Sequence, residues 1–387
     1  MATDATVAAG TERNRFGRME LAGAFGDLGT LVPFVVAYLA VLKMDPFGVL
    51  FAFAVAMLVC GFAYRTPIPV QPMKAVGAIA TTQAAQTITL TPAMVTGASL
   101  VTGLVWLVLG LTGTAHRVAN LIKRPIVVGI ILGLGFGFMI EGAKMMAQNW
   151  WVGGAALLGT ALLLTNRVIP AMFLLLMFGA AYGMLSDPTL VDALRTVSIE
   201  PRAPTFALSQ ITWNDLLIGT VFLALPQIPL TLGNAIIAIT EENNRLFPKR
   251  PVTEGKMATS TGLMNLLSAG VGGVPMCHGA GGLAGHVRFG ARTGGALIIL
   301  GAVLLVTALF FSGSVGILLR LFPPSILGVI LFLTGAQLAL GSCDLSKDKG
   351  ERFVTLVTAA LAVWNVGIAF VVGVAAYALN KKGWLRI

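Results

Sequence analysis

Apolar residues run in long blocks from Leu21 to Leu379, interrupted by glycine, proline and short clusters of charge. Blocks of that length with almost no charge predict membrane-spanning helices. The alternating ten-residue segments of a membrane barrel are absent. Turn residues and charges divide the chain into fourteen hydrophobic segments. The first seven run 19–42, 47–64, 70–88, 93–113, 124–140, 149–165 and 168–185. After a polar stretch at 186–213 come 215–240, 258–271, 274–290, 294–312, 323–341, 353–364 and 366–380. Several fall short of the ~20 residues that a straight helix needs to cross a bilayer. The stretch 353–380 divides least clearly, its alternative being one long tilted helix.

Composition adds the class. Apolar residues make up 56% of the chain and charged residues 11%, too greasy for a soluble domain of this length. Residues 1–18 are polar, carry Arg13, Arg15 and Arg18, and read as an N-terminal arm rather than a signal peptide. The net charge of +10 follows topology rather than a nucleic-acid partner. With the amino terminus inside, the inner segments hold twenty lysines and arginines; the outer ones hold only Lys43, Lys144, Arg195, Arg202 and Arg320. The positive-inside rule then puts both termini in the cytoplasm of a cell (inner) membrane, with 381–387 as a tail. Trp150, Trp151 and Trp213 fall at outer boundaries, as an interfacial belt would. Cys60, Cys277 and Cys343 lack any CxxC spacing and read as neither a disulfide nor a metal set. No P-loop occurs, and "GLGFGF" (133–138) lacks the βαβ unit of a dinucleotide site. No cofactor is expected, and no paired acid/base or nucleophile set points to an enzyme.

An inverted repeat is legible. "KRPIVVGIILGLGFGF" (123–138) matches "FPPSILGVILFLTGAQ" (322–337), with Pro125 and Pro324, and Gly129 and Gly328, each 199 apart. "QPMKAVGAIA" (71–80) matches "VPMCHGAGGLAG" (274–285) through Pro72-Met73 and Pro275-Met276, 203 apart. Each pair begins inside in one half and outside in the other. The chain thus divides into a first repeat at 19–185, an extracytoplasmic loop at 186–213 and a second repeat at 214–380. Seven plus seven spans of opposite orientation is a symmetry of secondary transporters. The third and tenth spans open on "RTPIPVQPM" and "GGVPM". Proline holds its predecessor extended, so a helix starts only after it. Two half-strand, half-helix spans are therefore expected, with helix N-termini near the bilayer midplane. Broken backbone at that depth must be buried in protein or line a cavity. Two facing N-termini, each with about half a positive charge and free amides, would form an anion site. Gly279, Gly281 and Gly282 would bare the amides there.

These same segments carry a resemblance. "ALPQIPLTLGNAIIAI" (224–239), "GLMNLL" (262–267) and "GGVPMCHGAGGLAGHVRFGARTG" (272–294), with "GAFGDLGTLVPF" (23–34) and "PVQPMKAVGAIA" (69–80), resemble the molybdate transporter family related to the SulP sulfate permeases. The likeness covers most of the chain. It implies the seven-plus-seven fold shared with nucleobase symporters, and uptake of molybdate or sulfate. SulP permeases usually carry a C-terminal STAS domain; this chain stops at Ile387 without one, as is normal for the molybdate branch.

Each candidate side chain has a plain alternative. Lys74, one position past the break, would attract a divalent oxyanion, since an unpaired mid-membrane lysine costs about 2.5–3.5 kcal/mol; alternatively it pairs with Asp27 or snorkels. Asp27, in "GDLGT", would bind a proton or pair with Lys74; alternatively it caps a break between Gly26 and Gly29. His278 would donate to a substrate oxygen or respond to pH; alternatively it packs against a neighbouring helix. Cys277 and His278 make an unconvincing metal pair, with only His286 nearby. His286, with Arg288 and Arg292, reads as cytoplasmic surface. Gln71, Gln227, Thr231 and Asn234, beside Pro72, Pro226 and Pro229, would line the cavity; alternatively they are interhelical glue. Met73, Cys277, Gly279 and Gly281 complete the expected substrate contacts.

The reading that follows is a secondary active transporter of a tetrahedral oxyanion, molybdate first, with sulfate and tungstate as relatives and protons as the coupling ion. Spans 1–4 and 8–11 would form a core moving against a gate of spans 5–7 and 12–14, and a homodimer is one possible assembly. A sulfate carrier shares the site physics, and a passive anion channel is the alternative of another class. A nucleobase symporter would want a mid-membrane carboxylate on spans eight or ten, and none stands between Asp215 and Glu241.

Overall fold

The computed structural model describes residues 13–40, 42–73, 76, 90–115, 117, 123–164, 171–341, 345–382 and 384. Lys74, the expected helical part of the third span, Cys343 and most of the N-terminal arm lie outside them. The described chain is mostly helical. Four stretches are each long and apolar enough to cross a bilayer unaided: Pro46–Tyr64, Pro92–Leu111, Arg124–Leu163 and Gly295–Leu319. Other expected spans are shorter or broken, and the breaks have causes.

The first span is α1 (Arg18–Ala24), a 3₁₀ turn (Phe25–Asp27) and α2 (Leu28–Ala40). The tight turn brings Asp27 inward. Helices α3 (Pro46–Tyr64) and α4 (Pro92–Leu111) start on proline after Asp45 and Thr91, whose side chains accept from backbone amides. Proline suits a first turn because its missing N–H has no intrahelical partner there anyway. Helix α5 (Arg124–Met146) passes through a 3₁₀ turn into α6 (Trp150–Leu163). Asn149, extended at φ −151°, ends the one and caps the other. Trp150 and Trp151 are exposed there, as an interfacial belt requires.

Helix α7 (Ala171–Ser186) bends by 102° into α8 (Pro188–Arg195). The expected outer loop is therefore part helix, an amphipathic one that buries Leu190. Asp187, at the bend, is held below the ordinary carboxylate range by the Thr189 hydroxyl first and then by Arg320. The loop then crosses the bundle: Glu200 N–H donates to Phe310 O at 2.9 Å, and Ala207 N–H to Gly270 O at 2.9 Å. Arg202 grips Asp45 with two hydrogen bonds, 2.8 and 2.9 Å. That pair is about 40% exposed on each side, so it contributes at most about 1 kcal/mol.

Span eight is irregular throughout. Helices α9 (Trp213–Ile218), α10 (Leu225–Leu230) and α11 (Ile239–Leu246) are joined by π-helical turns at Gly219–Ala224 and Thr231–Ala238. Pro226 and Pro229 return no N–H to the carbonyl four residues back, so the ladder shifts to wider turns around them. Such π turns gather at functional sites. Next come α12 (Glu254–Val271), α13 (Ala280–Arg288), α14 (Gly295–Phe311), α15 (Val315–Leu319) and α16 (Pro324–Gly341). The last stretch is two helices, α17 (Lys349–Trp364) and α18 (Val366–Lys381), divided by extended Asn365 and packed on each other.

The halves pack by exchange. Helix α3 lies on α14 while α4 lies on α12, and α5 lies on α16. Where α5 crosses α16, Gly135 and Gly335 face each other so closely that a Cβ on Gly135 would stand 2.8 Å from Gly335 O. Bare glycines there bring the two backbones into contact, the packing that membrane helices use without a hydrophobic drive.

Candidate anion site

At the centre of the bundle two extended segments meet. Strands β1 (Gln71–Pro72) and β2 (Met276–Cys277) pair antiparallel, Gln71 opposite Cys277 and Pro72 opposite Met276. Met73 N–H extends the ladder to Pro275 O at 2.8 Å. Pro72 and Met276 stand 204 apart, one more than the two Pro-Met motifs. In an antiparallel ladder every second pair turns its amide groups outward. Pro72, lacking an N–H, fills such an outward place without loss. Met276, opposite it, needs partners on the far side, and Asn265 of α12 supplies both. Asn265 Nδ2 donates to Met276 O at 2.6 Å and Met276 N–H donates to Asn265 Oδ1 at 2.9 Å. Ser268 Oγ donates to Val274 O at 2.7 Å.

Helix α13 starts immediately after β2, with extended Gly279 before its first turn. Ala280 N–H donates to Asn234 Oδ1 at 3.2 Å, tying this end to the π turn of span eight. Gln71 approaches from β1. Its Nε2 donates to Asp27 Oδ1 at 2.6 Å and to Thr30 Oγ1 at 2.8 Å, and the Thr30 hydroxyl donates to Asp27 Oδ1. With its nitrogen held on one side, Gln71 turns its Oε1 to the backbone of Gly279, and that oxygen has no hydrogen-bond donor among the described residues. A buried acceptor thus points at a helix N-terminus, where amides lack intrahelical partners. A Cβ on Gly282 would lie 2.7–2.8 Å from Pro69, Asp27 and Gln71. The missing side chain lets all three approach.

The expected residues divide on inspection. Asp27, Gln71, Asn234, Gly279 and Gly282 come together. Met73 and Cys277 are buried in or beside the ladder, and Gln227 donates to Thr231 Oγ1 at 3.0 Å on span eight. Lys74 lies outside the described residues. Gly281 is covered by the Phe138 ring of α5, whose Cζ would be 2.9 Å from a Cβ there. His278 does not offer a free nitrogen: Nδ1 faces Pro69 O at 2.8 Å and Nε2 faces Ser260 Oγ at 2.6 Å. Burial between β1, α3 and α12 leaves it no direct hand for a substrate oxygen. His286 is buried too, not on the surface, with Nδ1 donating to Gly23 O at 2.8 Å. Gly23 and Gly26 let α1 and its 3₁₀ turn close over it. Thr30, Tyr64, Phe138, Ser260, Asn265 and Ser268 were not foreseen at the site. Only the polar positions 260, 265 and 268 of α12 hinted at it.

Comparison with known proteins fixes the family. The model described as "Molybdate transporter of MFS superfamily" matches residues 19–138 and 219–338, stretches 200 residues apart at both ends. Molybdate transporter 2 of Arabidopsis thaliana is 32% identical over 94% of this chain and 87% of its own. Molybdate transporter 1 of the same plant is 30% identical over 95% and 88%. Among solved structures, the transmembrane domain of the cyanobacterial bicarbonate transporter BicA superposes with a TM-score of 0.59 at 15% identity, over 92% of this chain and 97% of that one. The murine anion transporter Slc26a9 in its inward-facing state gives 0.61 at 13% identity, over 97% and 70%. The two structures establish a membrane-transporter fold, and the sequence matches establish descent: the chain belongs to the molybdate transporter family.

Proposed function

We propose that this chain is a secondary active transporter that imports a tetrahedral oxyanion, foremost molybdate, held at the N-terminus of α13. The observation that carries the site is the start of α13 at the strand crossing, where extended Gly279, itself without a side chain, precedes the first-turn amides. An oxyanion oxygen arriving there would take the Ala280 amide from Asn234 Oδ1, and the Gln71 amide would have to turn its Nε2 toward it. Desolvating a dianion is expensive, and several oriented dipoles offset that cost without trapping the ion. Lys74 would add a cation from the third span, and Asp27 would set the Gln71 amide and take up a proton. Entry of a dianion against an inside-negative potential costs about 2.3 kcal/mol per charge per 100 mV, so accumulation needs compensating cations.

The test is labelled molybdate uptake in proteoliposomes, with unlabelled molybdate, tungstate, sulfate and uracil as competitors. Molybdate and tungstate are expected to compete best, sulfate less and uracil not at all. An imposed inward proton gradient should raise accumulation, and Asp27→Asn should reduce the gain. Lys74→Ala should weaken molybdate binding in protein that still folds and inserts. Competition by uracil alone would overturn the substrate class. Equilibration that ignores every gradient would make the protein a channel.

A further inference from the structure

A hydrogen-bonded chain leads from one face of the protein to His278. It begins at a cleft of about 680 Å³ lined by Tyr64, Arg250, Thr253, Lys256, Thr259 and Ser260, on the face where the basic residues predict the cytoplasm. Tyr64 Oη donates to Ser260 Oγ at 2.7 Å, and Ser260 Oγ lies 2.6 Å from His278 Nε2. On the far side of the ring, Nδ1 lies 2.8 Å from Pro69 O. A carbonyl only accepts, so Nδ1 carries hydrogen in every state. In the neutral ring Nε2 must then accept from the Ser260 hydroxyl.

The two hydroxyls each have a second acceptor. Ser260 Oγ is 3.2 Å from Met257 O, and Tyr64 Oη is 3.3 Å from Lys256 O. The chain therefore accommodates both charge states of His278 by hydroxyl rotation alone. When Nε2 gains a proton it donates to Ser260 Oγ, and Ser260 redirects its own hydrogen to Met257 O. The transfer balances: Ser260 passes its hydrogen to Nε2 and takes one from Tyr64, which takes one from a hydronium ion in the cleft and leaves water there.

We propose that His278 is a proton-binding site of the transport cycle, filled from this cleft through Ser260 and Tyr64. The inference rests on the oxyanion reading above. His278 stands two residues before the first residue of α13, so its charge would adjoin the bound anion. The groups the structure sets against it are Tyr64 of α3, whose ring meets it edge-on at 5.9 Å, Ser260 of α12 and the Pro69 carbonyl. No carboxylate among these groups offsets the charge of a protonated ring. A bound anion reverses that balance. Linkage then requires that a proton on His278 raise anion affinity by the factor by which the anion raises proton affinity.

The experiment measures molybdate binding to the purified full chain from about pH 8 to about pH 5, with uptake driven by a pH jump in proteoliposomes. Wild-type affinity should rise as pH falls, by at most about tenfold per unit for one proton. His278→Gln should flatten the profile. Ser260→Ala and Tyr64→Phe should keep low-pH binding but slow pH-driven uptake severalfold, with Ser260→Thr restoring it. Nitrogen NMR of the wild-type imidazole, which needs no variant to fold, should show hydrogen on Nδ1 at high pH. A neutral ring with hydrogen on Nε2, or a His278→Gln profile that overlays wild type, would overturn the proposal. Molybdate binding that ignores pH defeats this inference alone; no oxyanion binding at any pH defeats the reading beneath it.

Discussion

Gly281→Val is expected to reduce molybdate uptake by about 10- to 100-fold at equal expression, for about 1–3 kcal/mol of overpacking. The added Cβ alone would sit 2.9 Å from Phe138 Cζ and nearer still to Cε2. Valine brings two further methyls into a place already filled by the ring. Nor can the ring withdraw freely, because α5 is fixed against α16 by the close Gly135–Gly335 crossing. Helix α13 would have to shift instead, carrying the amides that face Gln71 and Asn234. Two companions separate this cause from a general intolerance of bulk. Gly154→Val falls where an added Cβ meets nothing within 4 Å and should leave uptake near wild type. Phe138→Ala in the Gly281→Val background should recover part of the loss, since coupled neighbours depart from additivity. Wild-type uptake by Gly281→Val would show that the seal between α13 and α5 plays no part in the cycle.

The same contact shows where sequence reasoning reaches and where it stops. The half-strand, half-helix spans were legible because proline acts locally: it bars the helix before Met73 and Met276 whatever surrounds it. Motif offsets near 200 likewise pointed to a repeat, but not to which helices of the two halves pack on each other. Gly281 was legible as special but not its partner, since nothing in the sequence links position 281 to a phenylalanine 143 residues earlier. The 3₁₀ turn at Asp27 and the π turns of span eight depend on ladder shifts of one residue, below the resolution of hydrophobic patterning. His286 looked exposed because arginines flank it. Its burial depends on Gly23 and Gly26 letting α1 close over α13, a tertiary fit. Asn149 and Asn365 stand where the hydrophobic segments already divided, at the start of 149–165 and between 353–364 and 366–380. The extended backbone and self-made cap at each are what the pattern did not show.

Asn265 is the residue least marked in the sequence relative to its expected effect. A strand of two residues has two edges, and β1 covers only one. On the other, Met276 presents an N–H and a C=O to a helix, whose backbone groups are already used. Asn265 acts there as a one-residue strand, accepting at 2.9 Å and donating at 2.6 Å, while its second amide hydrogen goes to Thr261 O at 2.7 Å. The side chain is fully buried, so no water would replace it. Leucine has the same branched heavy-atom skeleton and no polar atom. Asn265→Leu therefore leaves two buried backbone groups unpaired, each costing about 1–3 kcal/mol, against total stabilities of about 5–15 kcal/mol. The variant should unfold at a markedly lower temperature in detergent and lose molybdate uptake even where some protein survives. Ser268→Ala removes only the single bond to Val274 O and should cost about 0.5–1.5 kcal/mol, with uptake largely kept. The order of the two effects is the decisive measurement. Equal melting temperatures for Asn265→Leu and wild type would mean that β2 is held by its pairing with β1 alone. The broken span would then need no clamp from α12 to present the α13 amides.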